Sequence, residues 1–409
     1  MSFIKTLKQL KNTKKQTILF WLAFIILINI RFLLAFKLDI KHKYDFNCFW
    51  AWSSHITRVG FREFYPTISF CDYPPFYMII LFFVGKLSNL LHITQGSIPY
   101  IGLIKSPAMI SDIIIAILLY IYAKQNKAGS AILATLWILL DFGIAINSVF
   151  WGQIDSVWVL MIVASIILLT KDKKIPAVFL FVLAILTKTQ SFVFAPIYLA
   201  YFLTEKKPKT WVLSVAIALI TIFLVAIPFT KNFDFTWLYE KYRYAMNLYK
   251  YRTMNAFNFY YMLGWNYKSS EGAIFSIISI LVAGTLSIYS MLTILLKKNN
   301  NNIFYTAFLL MFGIFVLMPQ MHERYIFPAL VFLYFAFVAF PITLRKKVLP
   351  LLITISITTY ANCHYALVFN EGPIPNNFLT YGLSLINVIA FIYSIVFSIK
   401  LWKTQPSKN

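Results

Sequence analysis

Residues 39–75 read DIKHKYDFNCFWAWSSHITRVGFREFYPTISFCDYPP, the longest polar interval in a very apolar chain. The apolar run 17–36 precedes it. A run of about 20 apolar residues is what crosses about 30 Å of hydrocarbon, so the interval is expected on the far side of a membrane. It carries Asp39, Asp45, Glu63 and Asp72 among Trp50, Trp52, His55, Arg58, Arg62 and several Tyr and Phe. The segment FNCFWAWSSHITRVG is aromatic and amphipathic and reads as a helix lying in the membrane interface. Asp45, at its start, would stand where a lipid phosphate meets water and could accept a proton from a hydroxyl. Capping that helix is the plainer role for the same residue.

Working outward, 60% of the 409 residues are hydrophobic and 12% are charged, about half the charged share of a soluble domain. The expected fold is an all-α polytopic membrane protein with about 12 transmembrane helices in a single integral domain. Spans are expected near 17–36, 100–123, 129–149, 156–170, 175–187, 191–204, 210–228, 272–296, 303–318, 326–343, 348–367 and 379–401. Basic clusters then fall on one side: the N-terminus, Lys124 with Lys127, Lys171–Lys174, Lys206–Lys209, Lys297–Lys298, Arg345–Lys347 and Lys400–Lys403. By the positive-inside rule that side is the cytoplasm, and both termini lie there. The divisions are a cytoplasmic 1–16, a first extracytoplasmic loop 37–99, a main transmembrane module 100–343 with outer loop 230–271, and C-terminal helices 344–409. Parity requires that the apolar run 76–91 not cross, so it is expected to be re-entrant or interfacial, with Pro74-Pro75 giving it an irregular start.

The net charge of +23 raises nucleic-acid binding, but short clusters between apolar runs are not the contiguous basic face such binding needs. The lysine-rich N-terminus before 17–36 resembles a signal peptide. Its apolar run is too long and no small-residue cleavage site follows, so it reads as a retained first span. The cysteines are Cys48, Cys71 and Cys363, with no spacing typical of zinc. Cys48 and Cys71 share the first loop, but spacing alone does not supply disulfide geometry.

On the expected topology nearly every unusual polar cluster lies outside. Asp72-Tyr73-Pro74-Pro75 is a turn signal that would also set a second carboxylate beside Asp45. In WGQID (151–155), Gln153 and Asp155 sit at the outer end of a span, where a carboxylate needs a partner or a cavity. Asp112 and Asp141 have the same need, and Lys105 or Lys188 (in TKTQ, 187–190) could pair with these acids. In MHER (321–324), Arg324 offers a planar fork of donors suited to phosphate, His322 a further donor, and Glu323 a hold on the arginine or the substrate. An ordinary charged turn is the alternative, and no second His follows to make a zinc helix. The loop 239–252, YEKYRYAMNLYKYR, puts Arg243 and Arg252 on the side where cations are disfavoured. They would meet phosphate or headgroups, and its tyrosines would stack on sugars; an aromatic interfacial belt explains the loop equally well.

The order of FYPTISFCDYPP, WGQIDS, LTKTQ, NAFNFYYMLGWN (255–266) and MHERYIFP after a first span and an Asp-bearing loop resembles the GT-C superfamily of polytopic glycosyltransferases. Within it the chain is most similar to bacterial mannosyltransferases related to the second mannosyltransferase of GPI-anchor assembly. DYPP and the late His-Glu-basic motif are similar to the dolichyl-phosphate-glucose-dependent glucosyltransferases, which carry Lys where this chain has Arg324. The resemblance covers about residues 30–330. It implies an inverting transfer of a mannose-like hexose from a polyprenyl-phosphate donor to a glycan or lipid-linked acceptor on the extracytoplasmic face. Asp45 would be the general base, Arg324 with His322 would meet the donor phosphate, and Asp72 and Asp155 would occupy acidic positions of less defined role. No cofactor is implied. The residues do not look like a committed metal site, although a divalent ion between Asp45 and Asp155 stays open. Two other classes also stay open: a lipid-linked-sugar transporter or flippase, which would want polar residues at mid-membrane, and an oligosaccharide ligase or polymerase with a diphosphate-linked donor.

Overall fold

A computed structural model describes residues 14–126, 128, 130–296, 303–370 and 372–404. Lys5, Lys8, Lys11, Lys127, Lys297 and Lys298 lie outside the described residues. Helices follow the apolar runs, because backbone in hydrocarbon must satisfy its own hydrogen bonds. The chain begins with α1 (Lys14–Lys37), α2 (Lys43–Val59), α3 (Phe61–Thr67), α4 (Pro75–Leu90), α5 (Ile98–Gln125), α6 (Ala131–Leu140) and α7 (Phe142–Ala145). A wide turn, Ile146–Trp151, leads to α8 (Asp155–Thr170), α9 (Lys174–Ile185), α10 (Ala195–Leu203), α11 (Pro208–Ala226) and α12 (Thr236–Asn247). Strand β1 (Thr253–Met254), α13 (Phe259–Met262), α14 (Ala273–Leu296), α15 (Ile303–Leu317), strand β2 (Met321–His322), α16 (Phe327–Ala339), α17 (Ile342–Phe369) and α18 (Phe378–Thr404) complete it.

Every expected span falls on a helix, but the helices are of two kinds. Among the described residues six are long and apolar enough to cross a membrane: Lys15–Lys37, Ile98–Gln125, Pro208–Phe229, Ala273–Leu296, Ile342–Phe369 and Phe378–Lys403. The pair Ala131–Leu140 and Phe142–Trp151, bent by 47°, makes a seventh if taken as one span. Asp141 causes the bend. It leaves the helix in extended conformation, and its Oδ1 accepts the Gly143 N–H at 2.7 Å. The other apolar helices are short. Helix α16 has 13 residues, all buried except Phe337, and rises only about 20 Å. A helix apolar on every side lies in a protein core or crosses a membrane; α15 and α16, with nearly every residue buried, are the centre of the core, with the longer helices around them.

The run 76–91 forms a helix, α4, that is regular from Pro75 onward, without the irregular start expected at Pro74-Pro75. Pro75 sits at its first turn, where a missing N–H costs nothing. Phe46, Phe49, Trp52, Ser53 and Ile56 form the buried stripe of α2. Ser53 Oγ on that stripe donates to the Leu81 carbonyl of α4 at 2.9 Å. A Cβ at Gly85 would collide with Thr57 Oγ1, so glycine lets the two helices approach. This packing fixes α2, and with it Asp45, against the bundle.

Candidate functional site

Asp45 lies in the first turn of α2, but it is not the cap. His42 is, its Nδ1 facing the Asp45 N–H at 3.5 Å. The Asp45 carboxylate is left to turn inward, where Oδ2 accepts from Trp151 Nε1 at 2.8 Å and from Gln153 Nε2. Both donors come from the turn after α7. Gly152 makes that turn at φ 87°, a left-handed conformation suited to glycine. The His42 ring stacks on Trp151 at 4.6 Å, and its Nδ1 is 3.7 Å from Asp45 Oδ2. Arg324 Nη1 is 3.8 Å from the same oxygen. Burial alone would raise the Asp45 carboxyl. Arg324, His42 and the two hydrogen bonds outweigh it and hold the group down at about 2.

Asp72 is the opposite case. Burial and the neighbouring Asp45 charge push it up to about 6, against its own backbone N–H, Lys188 and Arg324. Tyr73 beside it donates to Gln153 Oε1 at 3.3 Å. Asp155 is bound by Lys188 Nζ and by Trp158 Nε1 at 3.0 Å. The Lys188 ammonium also stands 5.6 Å from the Tyr73 ring and 5.7 Å from that of Tyr325. Glu323 Oε1 accepts from Arg324 Nη1 at 2.6 Å. Burial, with Arg324 alongside, holds His322 well below the usual imidazole range and so neutral. Two nitrogens on this last stretch are buried without a partner, His322 Nε2 and Arg324 Nε, as is the acceptor Asp155 Oδ2.

The stretch 255–266 places MHER. Asn255 takes φ 58°, a region asparagine tolerates better than other side chains. Its Oδ1 accepts from Ile374 N at 2.8 Å and from Asn266 Nδ2 at 2.9 Å, and its carbonyl accepts from Asn362 Nδ2 at 2.6 Å. The strand just before it pairs Met254 with His322. Helix α17 and the loop after it thus hold, through Asn255, the strand that carries His322.

Asp45, Asp72, Tyr73, Gln153, Asp155, Lys188, His322, Glu323 and Arg324 therefore come together. Arg243 and Arg252 do not. Arg243 is exposed on α12. Arg252 Nε donates to the Ser269 carbonyl at 2.9 Å, and its guanidinium lies 4.3 Å over Trp265, which makes it a staple of its own loop. Lys105 meets no carboxylate either. Its Nζ donates to the carbonyls of Ile40 at 2.6 Å and Val149 at 2.8 Å, tying the first loop to α5. The partner of Asp112 is Arg31, at 2.8 Å, and Asp141 is met by Tyr334 and Ser356 hydroxyls at 2.6 and 2.7 Å. Cys48 and Cys71 are free thiols. Among the described residues no three His, Cys, Asp or Glu side chains converge as metal ligands would. Asp45 and Asp155 each face their own partners.

A cavity of about 550 Å3 reaches this cluster from the side. Phe192, Met246, Ala283, Ser287 and Met311 are among its lining, and Gln190, His322 and Tyr325 belong to it too. Phe192 and Met246 are exposed and mark its outer rim.

No protein-family model matches the chain, and no curated protein sequence does. Among solved structures, ArnT from Cupriavidus metallidurans, crystallised bound to undecaprenyl phosphate, matches with a TM-score of 0.51. The match covers 96% of this chain and 78% of that one, at 10% identity. Likeness at that identity speaks for the fold, and with the helical architecture above it makes this chain an integral membrane protein with the all-α polytopic GT-C fold.

Proposed function

We propose that the chain is an inverting glycosyltransferase that moves a hexose from a polyprenyl-phosphate donor to an acceptor hydroxyl on the extracytoplasmic face. The observation that carries this reading is the end of the apolar cavity. It is lined by helix faces suited to an isoprenoid chain and reaches His322, whose Nε2, like Arg324 Nε nearby, is a buried polar atom without a partner. A buried unpaired donor costs free energy unless a ligand meets it, and a phosphate oxygen would meet both. That ArnT binds undecaprenyl phosphate on a similar fold supports the same reading.

In the proposed step the acceptor oxygen attacks the anomeric carbon. The bond from that carbon to the phosphate oxygen breaks, and polyprenyl monophosphate leaves with the electron pair. The acceptor proton passes to Asp45. Before donor binds, Arg324 helps to keep Asp45 ionised. A phosphate on the guanidinium offsets that field and makes Asp45 more basic when a proton must be taken. The cation then stabilises the charge that develops on the leaving phosphate. Asp155, neutralised by Lys188, supports the floor beside Tyr73.

Binding of polyprenyl monophosphate to the purified protein, followed by native mass spectrometry, tests the reading. Wild type is expected to retain the lipid, and Arg324→Ala to bind it at least about tenfold more weakly, as loss of a charge-assisted pair implies. Equal binding by the two proteins would remove Arg324 from the phosphate site.

A further inference from the structure

A second cleft of about 470 Å3 lies between α3 and α12, the helix whose Ala245 and Met246 line the lipid cavity. Its walls include Tyr65, Trp237 and Tyr244, and its charged residues are Lys231, Lys241, Asp234 and Glu240. Tyr65 and Trp237 stack at 4.9 Å. Trp237 Nε1 donates to Thr230 Oγ1 at 3.2 Å, and Tyr65 Oη donates to the Tyr73 carbonyl at 2.9 Å. Both rings are therefore held in place before any ligand arrives. Lys241 Nζ donates to the Cys71 carbonyl at 2.7 Å, so one wall is bonded to the segment that bears Asp72.

A line of rings joins this cleft to the carboxylate cluster. Tyr44, next to Asp45 in the chain, has its ring 6.5 Å from Phe70, and Phe70 is 6.5 Å from Tyr244 on the cleft wall. Tyr44 and Tyr244 are exposed. Phe70 is fixed from behind, its carbonyl accepting Trp52 Nε1 at 2.6 Å.

The chemistry of the cleft decides its occupant. Sugars present apolar C–H faces to aromatic rings and hydroxyls to carboxylates and amines. An anionic headgroup would want unbalanced positive charge. Here two lysines are matched by two carboxylates, and Lys231 is already 2.6 Å from Glu63. The size is that of a ligand site. We propose that this cleft is an acceptor subsite for a neutral oligosaccharide. The sugar to be extended reaches Asp45, and the sugars behind it pass over Tyr44, Phe70 and Tyr244 to rest against Tyr65 and Trp237. The acceptor is thus a glycan of several residues. This rests on the transferase reading above and narrows its acceptor.

The test uses the full chain in nanodiscs and a graded set of neutral oligosaccharides, from single glycosides to hexamers. Binding is read by saturation-transfer NMR, with no donor present. Trisaccharides or longer members are expected to bind wild type and to bind Trp237→Ala and Tyr244→Ala about tenfold more weakly. Single glycosides should not distinguish the three proteins. Acceptor-independent release of polyprenyl phosphate should be the same in all three. If no oligosaccharide binds wild type, or if both variants bind every length as wild type does, the subsite is wrong. Retained oligosaccharide binding with no turnover of any polyprenyl-phosphate sugar would instead sink the transferase reading and leave the cleft a glycan site.

Discussion

Arg324 Nη1 lies 3.8 Å from Asp45 Oδ2 and 2.6 Å from Glu323 Oε1, so one guanidinium is shared between two carboxylates. It has not closed fully on Asp45, and its Nε has no partner. The acid that would take a proton and the cation that would meet a phosphate are thus electrostatically coupled before substrate binds. Burial raises the Asp45 carboxyl, and Arg324 is the largest of the influences that bring it down to about 2. Replacing Arg324 by Gln should raise it by roughly one to three pH units. The acid limb of kcat/KM, which reports the free enzyme, should rise with it and enter the measurable range. An unmoved limb would uncouple the two residues.

Asp72 makes a prediction of opposite sign. Its folded value, about 6, lies above the ordinary carboxylate value of 3.8. The folded protein therefore holds this proton more tightly than the unfolded chain. The penalty for ionising it is absent below pH 4 and complete above about pH 6. Asp72→Asn removes the penalty, so the variant should melt higher than wild type at pH 8, by the equivalent of about 1–3 kcal/mol. The advantage should vanish near pH 4. Thermal scans at the two pH values check both sign and window.

The Lys188–Asp155 pair is buried on both sides, with side-chain exposures of 4% and 2%, so breaking it should strand a charge. Lys188→Met leaves Asp155 with only Trp158 Nε1 and is expected to cost about 3–5 kcal/mol. Lys188→Met combined with Asp155→Leu should recover much of that. Detergent-solubilised thermal stability distinguishes the cases; a double variant no better than the single one would contradict the pairing argument.

Asn255 supplies a test that alters no charged group. Asn255→Leu loses the bonds to Ile374, Asn266 and Gly372 and puts a bulky side chain at φ 58°. Asn255→Gly relieves the backbone but not the lost bonds. Both should lower donor affinity by displacing His322, with Leu worse than Gly. Lipid-binding titrations on the two variants measure the order.

Much of this site was legible in the sequence for a physical reason. Carboxylates and cations in so apolar a chain need partners, which drew attention to Asp45, Asp72, Asp155, Lys188 and Arg324. The partners themselves were harder to read. His42 acts by stacking on Trp151, and the two meet only once the first loop folds back on the turn after α7. Arg31 hid inside the first apolar run, where its pairing with Asp112 left no local pattern. Arg252 looked like a free cation because Trp265, the ring it covers, lies outside the tyrosine-rich loop. The helices followed the apolar runs closely, but periodicity could not separate a helix buried in protein from one facing lipid. That is why the short, buried α16 reads like the longer helices around it.

The most direct measurement is polyprenyl phosphate release by purified wild type and Asp45→Asn, assayed with a panel of polyprenyl-phosphate sugars and glycan acceptors. Asparagine keeps the size of the side chain and can still accept from Trp151, but it cannot take up the acceptor proton. Wild type should release the lipid phosphate with at least one donor. Asp45→Asn should bind that donor and turn over at least about a hundredfold more slowly, the lower range for loss of a general base. A variant that keeps full activity would contradict the assignment of Asp45 as the base.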